Sequence, residues 1–264
     1  MGKKRNDAPV FYAIAQAQFN PILNLDGFIP TIQARMREVR FPDYRQELVQ
    51  RLVMPFGQPG QAPVPAPALQ SQTRHVFGNI AGRTLFNLEA NTLCLQTTEY
   101  DTFETFVATF REGLGILHEA IRLDFAERIG LRYLDAILPL KEGETLRDYL
   151  VPAVLGHALR DAGELVHSVS ETVFVTPAGH LVSRVFVRKG GVGLPMELAS
   201  HALTPDPRFT GREGLHAIID TDAFWLQREA FSLERVVGHL EALHDEINKS
   251  FDATITEHAM KVWA

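Results

Sequence analysis

The sequence predicts an α+β fold. It reads as a tandem duplication of a strand–helix–antiparallel sheet–long helix unit, pseudo-twofold, with the helices packed on antiparallel sheet. Three observations predict this. The stretch LHEAIRLDF, Leu117 to Phe125, is echoed by LHDEINKSF, Leu243 to Phe251. Carried backwards at the same offset, Val107, Phe110, Leu114, Leu117, Ile121 and Phe125 fall on Leu233, Val236, Leu240, Leu243, Ile247 and Phe251. Steps of three and four put each set on one face of a helix that packs on something apolar. Before each helix come short strand-like runs broken by turns. Gly82 in one and Gly179 in the other supply the positive φ that a hairpin turn needs.

The elements follow in order. Residues 1–8, with Lys3, Lys4 and Arg5, read as a flexible tail. PVFYAIAQAQF (Pro9–Phe19) is a strand, and GFIPTIQARMREV (Gly27–Val39) a helix. The Pro/Gly-rich stretch within 55–72 is a loop, with extended PFGQPGQAPVPAP at Pro55–Pro67. His75–Tyr100 holds strands and turns. Asp101 and Glu104 suggest the cap of the first long helix. The boundary falls near Ala126, giving repeats at 9–126 and 127–264. In the second, RIGLRYLDAIL (Arg128–Leu138) is a strand, and Thr145 with Asp148 opens a helix over TLRDYLVPAVLGHAL. Glu171–Gly190 and Gly214–Leu226 supply strands, and Ser232 caps the last helix. The hairpin glycines are closer together than the two long helices, so an insertion must lie between Lys189 and Leu215. Residues 190–214 form it, with a short helix expected around Met196–Leu203. Loops of this length tend to be functional or disordered.

Composition narrows the function. The 264 residues are 45% hydrophobic and 22% charged, with net charge −6, ordinary for a globular core. An acidic balance weighs against nucleic acid, which needs basic surface. A single cysteine, Cys94, excludes an internal disulfide framework and reads as a small buried hydrophobe. No apolar run approaches the ~20 residues of a membrane helix, and the cytoplasm is the expected location.

The motifs yield no catalytic set. HEAIR at His118 and HDEIN at His244 lack the second histidine that a zinc-binding helix places four residues on; Arg122 and Asn248 stand there. KGGVG (Lys189–Gly193) lacks the Lys-Ser/Thr of a phosphate loop. Asp220 and Asp222, two apart on a strand, face one way and could hold a cation, or simply end the strand. In GLRYLD (Gly130–Asp135), Leu131, Tyr133 and Asp135 share one face. Arg132 lies on the other, where its fork could hold a carboxylate or an anionic ligand. Arg132, Tyr133, Asp135, Asp220 and Asp222 are therefore the candidate ligand-binding residues. No cofactor, metal site or catalytic residue is expected.

The order of elements, doubled, resembles the TATA-binding-protein-like architecture of paired repeats. PVFYAIAQAQF, GLRYLD, IIDTDAF and the ending LHDEINKSFDATIT also resemble a sporadically distributed bacterial family of about this length, whose activity is not established. That family often has Asn where Asp135 stands, and an acidic residue where Ala15 or Ala17 stands. Its patchy distribution implies mobile defence or accessory cassettes. The expectation is a non-enzymatic scaffold that presents its sheet face and the 190–214 loop to a protein partner, or that forms a homo-oligomer. The alternative is a small-molecule, nucleotide or metal binder, enzymatic or not, with its site between the repeats.

Overall fold

The computed structural model describes residues 9–53, 68–160, 163–195, 198 and 203–263. In chain order they form β1 (Val10–Phe19), a 3-10 turn (Leu25–Phe28), α1 (Ile29–Glu38), β2 (Asp43–Val53), β3 (Ala68–Gly78), β4 (Thr84–Glu89), β5 (Thr92–Thr97) and α2 (Phe103–Ile121). Then come β6 (Phe125–Ile137), α3 (Leu146–Tyr149), α4 (Pro152–Leu155), a second 3-10 turn (Gly156–Leu159), β7 (His167–Thr176), β8 (Gly179–Gly191), α5 (Pro207–Thr210), β9 (Glu213–Ala230), α6 (Leu233–Thr254) and α7 (Glu257–Val262). The fold is α+β.

The nine strands form one antiparallel sheet in the order β2-β3-β4-β5-β1-β6-β9-β8-β7. β1 and β6 pair at its middle, with Ala15 opposite Leu131. Both stripes read from the sequence lie in helices apart from Phe125, and most of their residues are buried. Phe110, Leu114 and Leu117 of α2 and Val236, Leu240 and Leu243 of α6 enter one core with Met36 of α1 and Phe19, Phe86 and Ile129 of the sheet. A second cluster continues along the same face, where Tyr149, Leu155, Phe251 and Trp263 gather beneath α3, α4, α7 and the end of α6.

The echoed histidines link the two long helices. The His118 ring of α2 stacks on Phe231 at the entry to α6, with ring centroids 4.5 Å apart. His244 of α6 stacks on Phe103, the first residue of α2, at 4.0 Å.

Several expectations are corrected. Four strands, not three, follow α1. β2 was missed because DYRQELVQRLV has no consistently apolar face, and as an edge strand paired only with β3 it needs none. The 55–72 loop is shorter at its end, since β3 begins at Ala68; residues 54–67 lie outside the described residues. The helix expected over Thr145–Leu159 breaks in pieces. Thr145 and Asp148 do form a capping box, but Pro152 lacks the N–H that a continuing helix would use, and Leu150 instead bridges to Ile255. α2 stops at Ile121 because Arg122 turns left-handed, φ 56°, so Phe125 belongs to β6 while Phe251 stays in α6. The cap of α2 is Thr102, whose side chain accepts from the Thr105 N–H, one residue past the expected Asp101. Ser232 caps α6 as expected. The helix expected at Met196–Leu203 falls mostly outside the described residues, and α5 lies beyond it.

The inserted segment does not stand free. Val192, Leu198, Leu203 and Phe209 are buried on the side of the sheet opposite α2 and α6, against Phe11, Tyr12, Val76, Leu85 and Leu134. Phe209 meets Phe11 with ring centroids 5.7 Å apart. The Thr98 hydroxyl donates to the Thr204 carbonyl at 2.6 Å, and the Thr204 N–H donates to the Gly82 carbonyl at 2.8 Å. The described residues between 192 and 209 thus form a strap on this face, which reaches β4 and β5 through Thr204. Apolar side chains at one end of that face require such a cover.

Candidate functional site

Strand alternation sorts the five candidate residues onto two faces. Leu131 and Tyr133 of β6 join the core beneath α2 and α6, whereas Leu134 joins the opposite cluster. Asp135 shares the face of Tyr133, and Arg132 that of Leu134. In β9, Asp220 and Asp222 lie across from Leu134 and Arg132. The structure therefore brings Arg132, Asp220 and Asp222 together and leaves Tyr133 and Asp135 on the other side of the sheet.

On the strap side the charges answer one another. Arg132 donates from Nε and Nη2 to the two oxygens of Asp220, at 2.6 and 2.7 Å, and Asp220 is fully buried. A bidentate fork of this kind is the strong form of the contact. Arg184 of β8 approaches the same carboxylate at 3.7 Å and holds Glu171 of β7. Arg128 donates to Gln16 and lies over the Phe224 ring, 4.7 Å from its centroid. Gly130 makes that possible, because a Cβ there would meet the Arg128 guanidinium at 2.8 Å. Burial raises the pKa of Asp222, against the lowering influence of Arg128 and Arg132; Asp220 raises it further. Three guanidinium groups around two carboxylates disfavour a divalent cation by simple repulsion. Among the described residues, no group of three or more His, Cys, Asp or Glu side chains is placed to hold a metal.

Nearby on this face, the Tyr12 hydroxyl donates to Gln96 at 2.8 Å. Cys94 lies beside Gln16 in register, and its thiol is pushed up to about 11, chiefly by burial. It is therefore protonated near neutral pH and carries no nucleophile.

On the helix side a neutral chain of hydrogen bonds runs Tyr100–Tyr133–His244–Asn248. The two tyrosine hydroxyls are 3.3 Å apart, Tyr133 is 3.3 Å from His244 Nδ1, and Asn248 is 3.0 Å from His244 Nε2. Burial raises the Tyr133 pKa well above its usual value and lowers that of His244. Neither group is tuned to exchange protons at neutral pH.

Two features were not anticipated. A cleft of about 560 Å³ opens between the end of α1, the start of α2 and β4–β5, with Phe41, Leu95 and Phe106 on its floor and Glu38, Glu99 and Glu112 around it. The other is the outer edge of β7. Val169, Val173, Phe174 and Val175 are 52%, 59%, 49% and 80% exposed. By register with β8, Val169, Val173 and Val175 lie on the strap side, opposite Phe186, Val182 and His180, and Phe174 faces the helix side. The run Val173-Phe174-Val175 was the available signal. Apolar residues at consecutive strand positions imply two covered faces, yet among the described residues β8 is the one strand that pairs with β7.

No helix of the described residues is long and apolar enough to cross a membrane. Comparison of the chain with protein-family models and with curated proteins gave no match.

Proposed function

We propose that the chain is a non-enzymatic protein-association module, a duplicated α+β unit whose docking element is the free edge of β7. The observation that carries this reading is the character of that edge. β7 is ten residues long, HSVSETVFVT, and pairs with β8 in unbroken register. It has no proline, lysine or bulge, the devices by which exposed edges are normally blunted. Its outward N–H and C=O groups are a template for another strand, and its valines give that strand something to cover. The duplication is supported by the element order, by β1 and β6 pairing at the centre of the sheet, and by the exchanged stacking of His118 on Phe231 and His244 on Phe103. The same order is what the paired-repeat architecture named above would require.

Photo-cross-linking tests the reading. A photoreactive residue at Val173, in the chain expressed in cells, is expected to capture polypeptide adducts. The same residue at Leu48 on the β2 edge is the control. Adducts at neither position, or equally at both, would remove the assignment of β7.

A further inference from the structure

We infer that the occupant of the β7 edge is β7 of a second copy of this chain, paired antiparallel about a twofold axis perpendicular to the sheet and centred on Thr172. This rests on the reading of β7 as a docking edge and names its partner.

The first argument is position. Counted outward from the centre, β3 and β7 hold the same place, fourth from the middle on either side. β3 is paired on its outer side by β2, whereas no described strand pairs with the outer edge of β7, although α4 and the second 3-10 turn lie against it. β7 nevertheless carries three valines on its strap face and Phe174 on the other, with charge limited to Glu171. Five of the large apolar side chains exposed at the surface fall between Val166 and Val175.

The second argument is register. A twofold axis perpendicular to the sheet keeps the strap side of one copy level with the strap side of the other. Odd-numbered residues of β7 must then face odd, and even must face even. Centring on Glu171 would set two like charges directly opposite, which is unfavourable. Centring on Thr172 sets Glu171 against Val173 of the second copy, Val169 against its Val175 and Ser170 against its Phe174. That ladder runs from Ser168 to Thr176. Centring on Val173 shortens it by a rung at each end.

The third argument is charge. The chain carries net charge −6, which opposes self-association at long range. The edge itself is locally balanced, since the carboxylate of Glu171 is held by Arg184 of its own chain. Association through this strand should therefore strengthen with salt, which screens the overall repulsion and leaves backbone pairing and valine burial intact.

The test uses the full chain. Sedimentation equilibrium at micromolar concentration is expected to give a species near twice 29.5 kDa, more populated at high salt. The double substitution Val173→Lys, Val175→Lys is expected to weaken dimerisation by ~10-fold or more, as charged edges do, with circular dichroism unchanged. Thr172→Cys reads the register even where the lysine variant folds poorly. Facing residues of an antiparallel pair have Cα atoms about 4.5–5.5 Å apart, within reach of a disulfide. With oxidised glutathione as oxidant, Thr172→Cys should give a covalent dimer that thiols reverse, while the wild-type chain, with Cys94 alone, and Leu48→Cys give none. A wild-type chain that stays monomeric at every concentration overturns the inference. So does a dimer that ignores the lysines and fails to link through position 172. If the chain is monomeric but Val173 still captures another polypeptide, self-pairing falls and the docking edge stands. If neither occurs, both fall.

Discussion

The two outer edges of the sheet are both strands of antiparallel pairs, β2 with β3 and β7 with β8, and they differ in charge. β2 closes one side with Asp43, Arg45 and Glu47 in its sequence. Arg45 sits 3.7 Å from Asp43, and Arg74 of β3 reaches Glu47 at 4.0 Å and Glu89 at 2.8 Å. Charges arranged this way discourage a further strand, because pairing would desolvate them. On the other side the last described strand is β7, whose single charged residue is already held by Arg184. Two edges of one sheet thus teach that charge can be set strand by strand.

The largest expected effect contrasts how the two sides of the sheet centre satisfy buried polar groups. Between β6 and β9 the link is ionic, with Arg132 on Asp220. Between β1 and β5 it is neutral, with Tyr12 on Gln96. Arg132→Met leaves a fully buried carboxylate without its main partner, which typically costs about 3–5 kcal/mol. Tyr12→Phe removes a neutral bond and should cost about 1–3 kcal/mol, because Gln96 is left buried. Urea denaturation of both variants measures the difference. Equal losses would mean that Arg184, at 3.7 Å from Asp220, replaces Arg132, and the contrast would break.

A smaller effect separates the two long helices. Each has an interior glycine, Gly113 in α2 and Gly238 in α6. A Cβ on Gly113 would drive into the Phe86 ring, whereas one on Gly238 meets nothing within 4 Å. Gly113→Ala is therefore expected to destabilise by about 1–3 kcal/mol through overpacking. Gly238→Ala should stabilise by roughly 0.5–1 kcal/mol, the ordinary helix preference for alanine. Opposite shifts in melting temperature confirm that Gly113 is packed against the sheet and that Gly238 lies on the exposed face of its helix. Shifts of the same sign would contradict the packing.

Much of this was legible in the sequence for a physical reason. A helix buried on one side must repeat its apolar residues every three or four positions, so α2 and α6 announce themselves through Phe110, Leu114, Leu240 and Leu243. Arg132 and Tyr133 could be assigned to opposite faces from strand alternation alone. What the alternation could not give was the acid that Arg132 holds. Asp220 meets it only because β9 pairs with β6 in a register fixed by both strands. β2 was hidden because an edge strand has little to bury. The strap was hidden because Val192, Leu198, Leu203 and Phe209 are too widely and irregularly spaced to show a period. The exposed edge of β7 depends on the absence of a tenth strand among the described residues, which no local pattern records.

The smallest expected effect concerns the two echoed histidines, each stacked on the phenylalanine at the other helix's entry. His244 is also wired to Tyr133 and Asn248. With the Asn248 amide donating to Nε2, Nδ1 carries the proton and donates to the Tyr133 hydroxyl; a second proton would have to displace Asn248. Burial lowers the His244 pKa below its ordinary 6.5, outweighing the opposite pull of Asp245 and Glu104. The unfolded chain therefore binds a proton at a higher pH than the folded chain does. Stability from this site is complete above about 6.5 and drains away as pH falls from there toward the depressed folded value. Burial likewise lowers the pKa of His75 and His216, so the wild-type melting temperature should fall across that acid window. His244→Gln should make the fall shallower while His75 and His216 maintain the rest. A variant whose melting temperature tracks pH as steeply as the wild type would place the acid sensitivity at those two histidines and leave the Phe103–His244 contact with a packing role only.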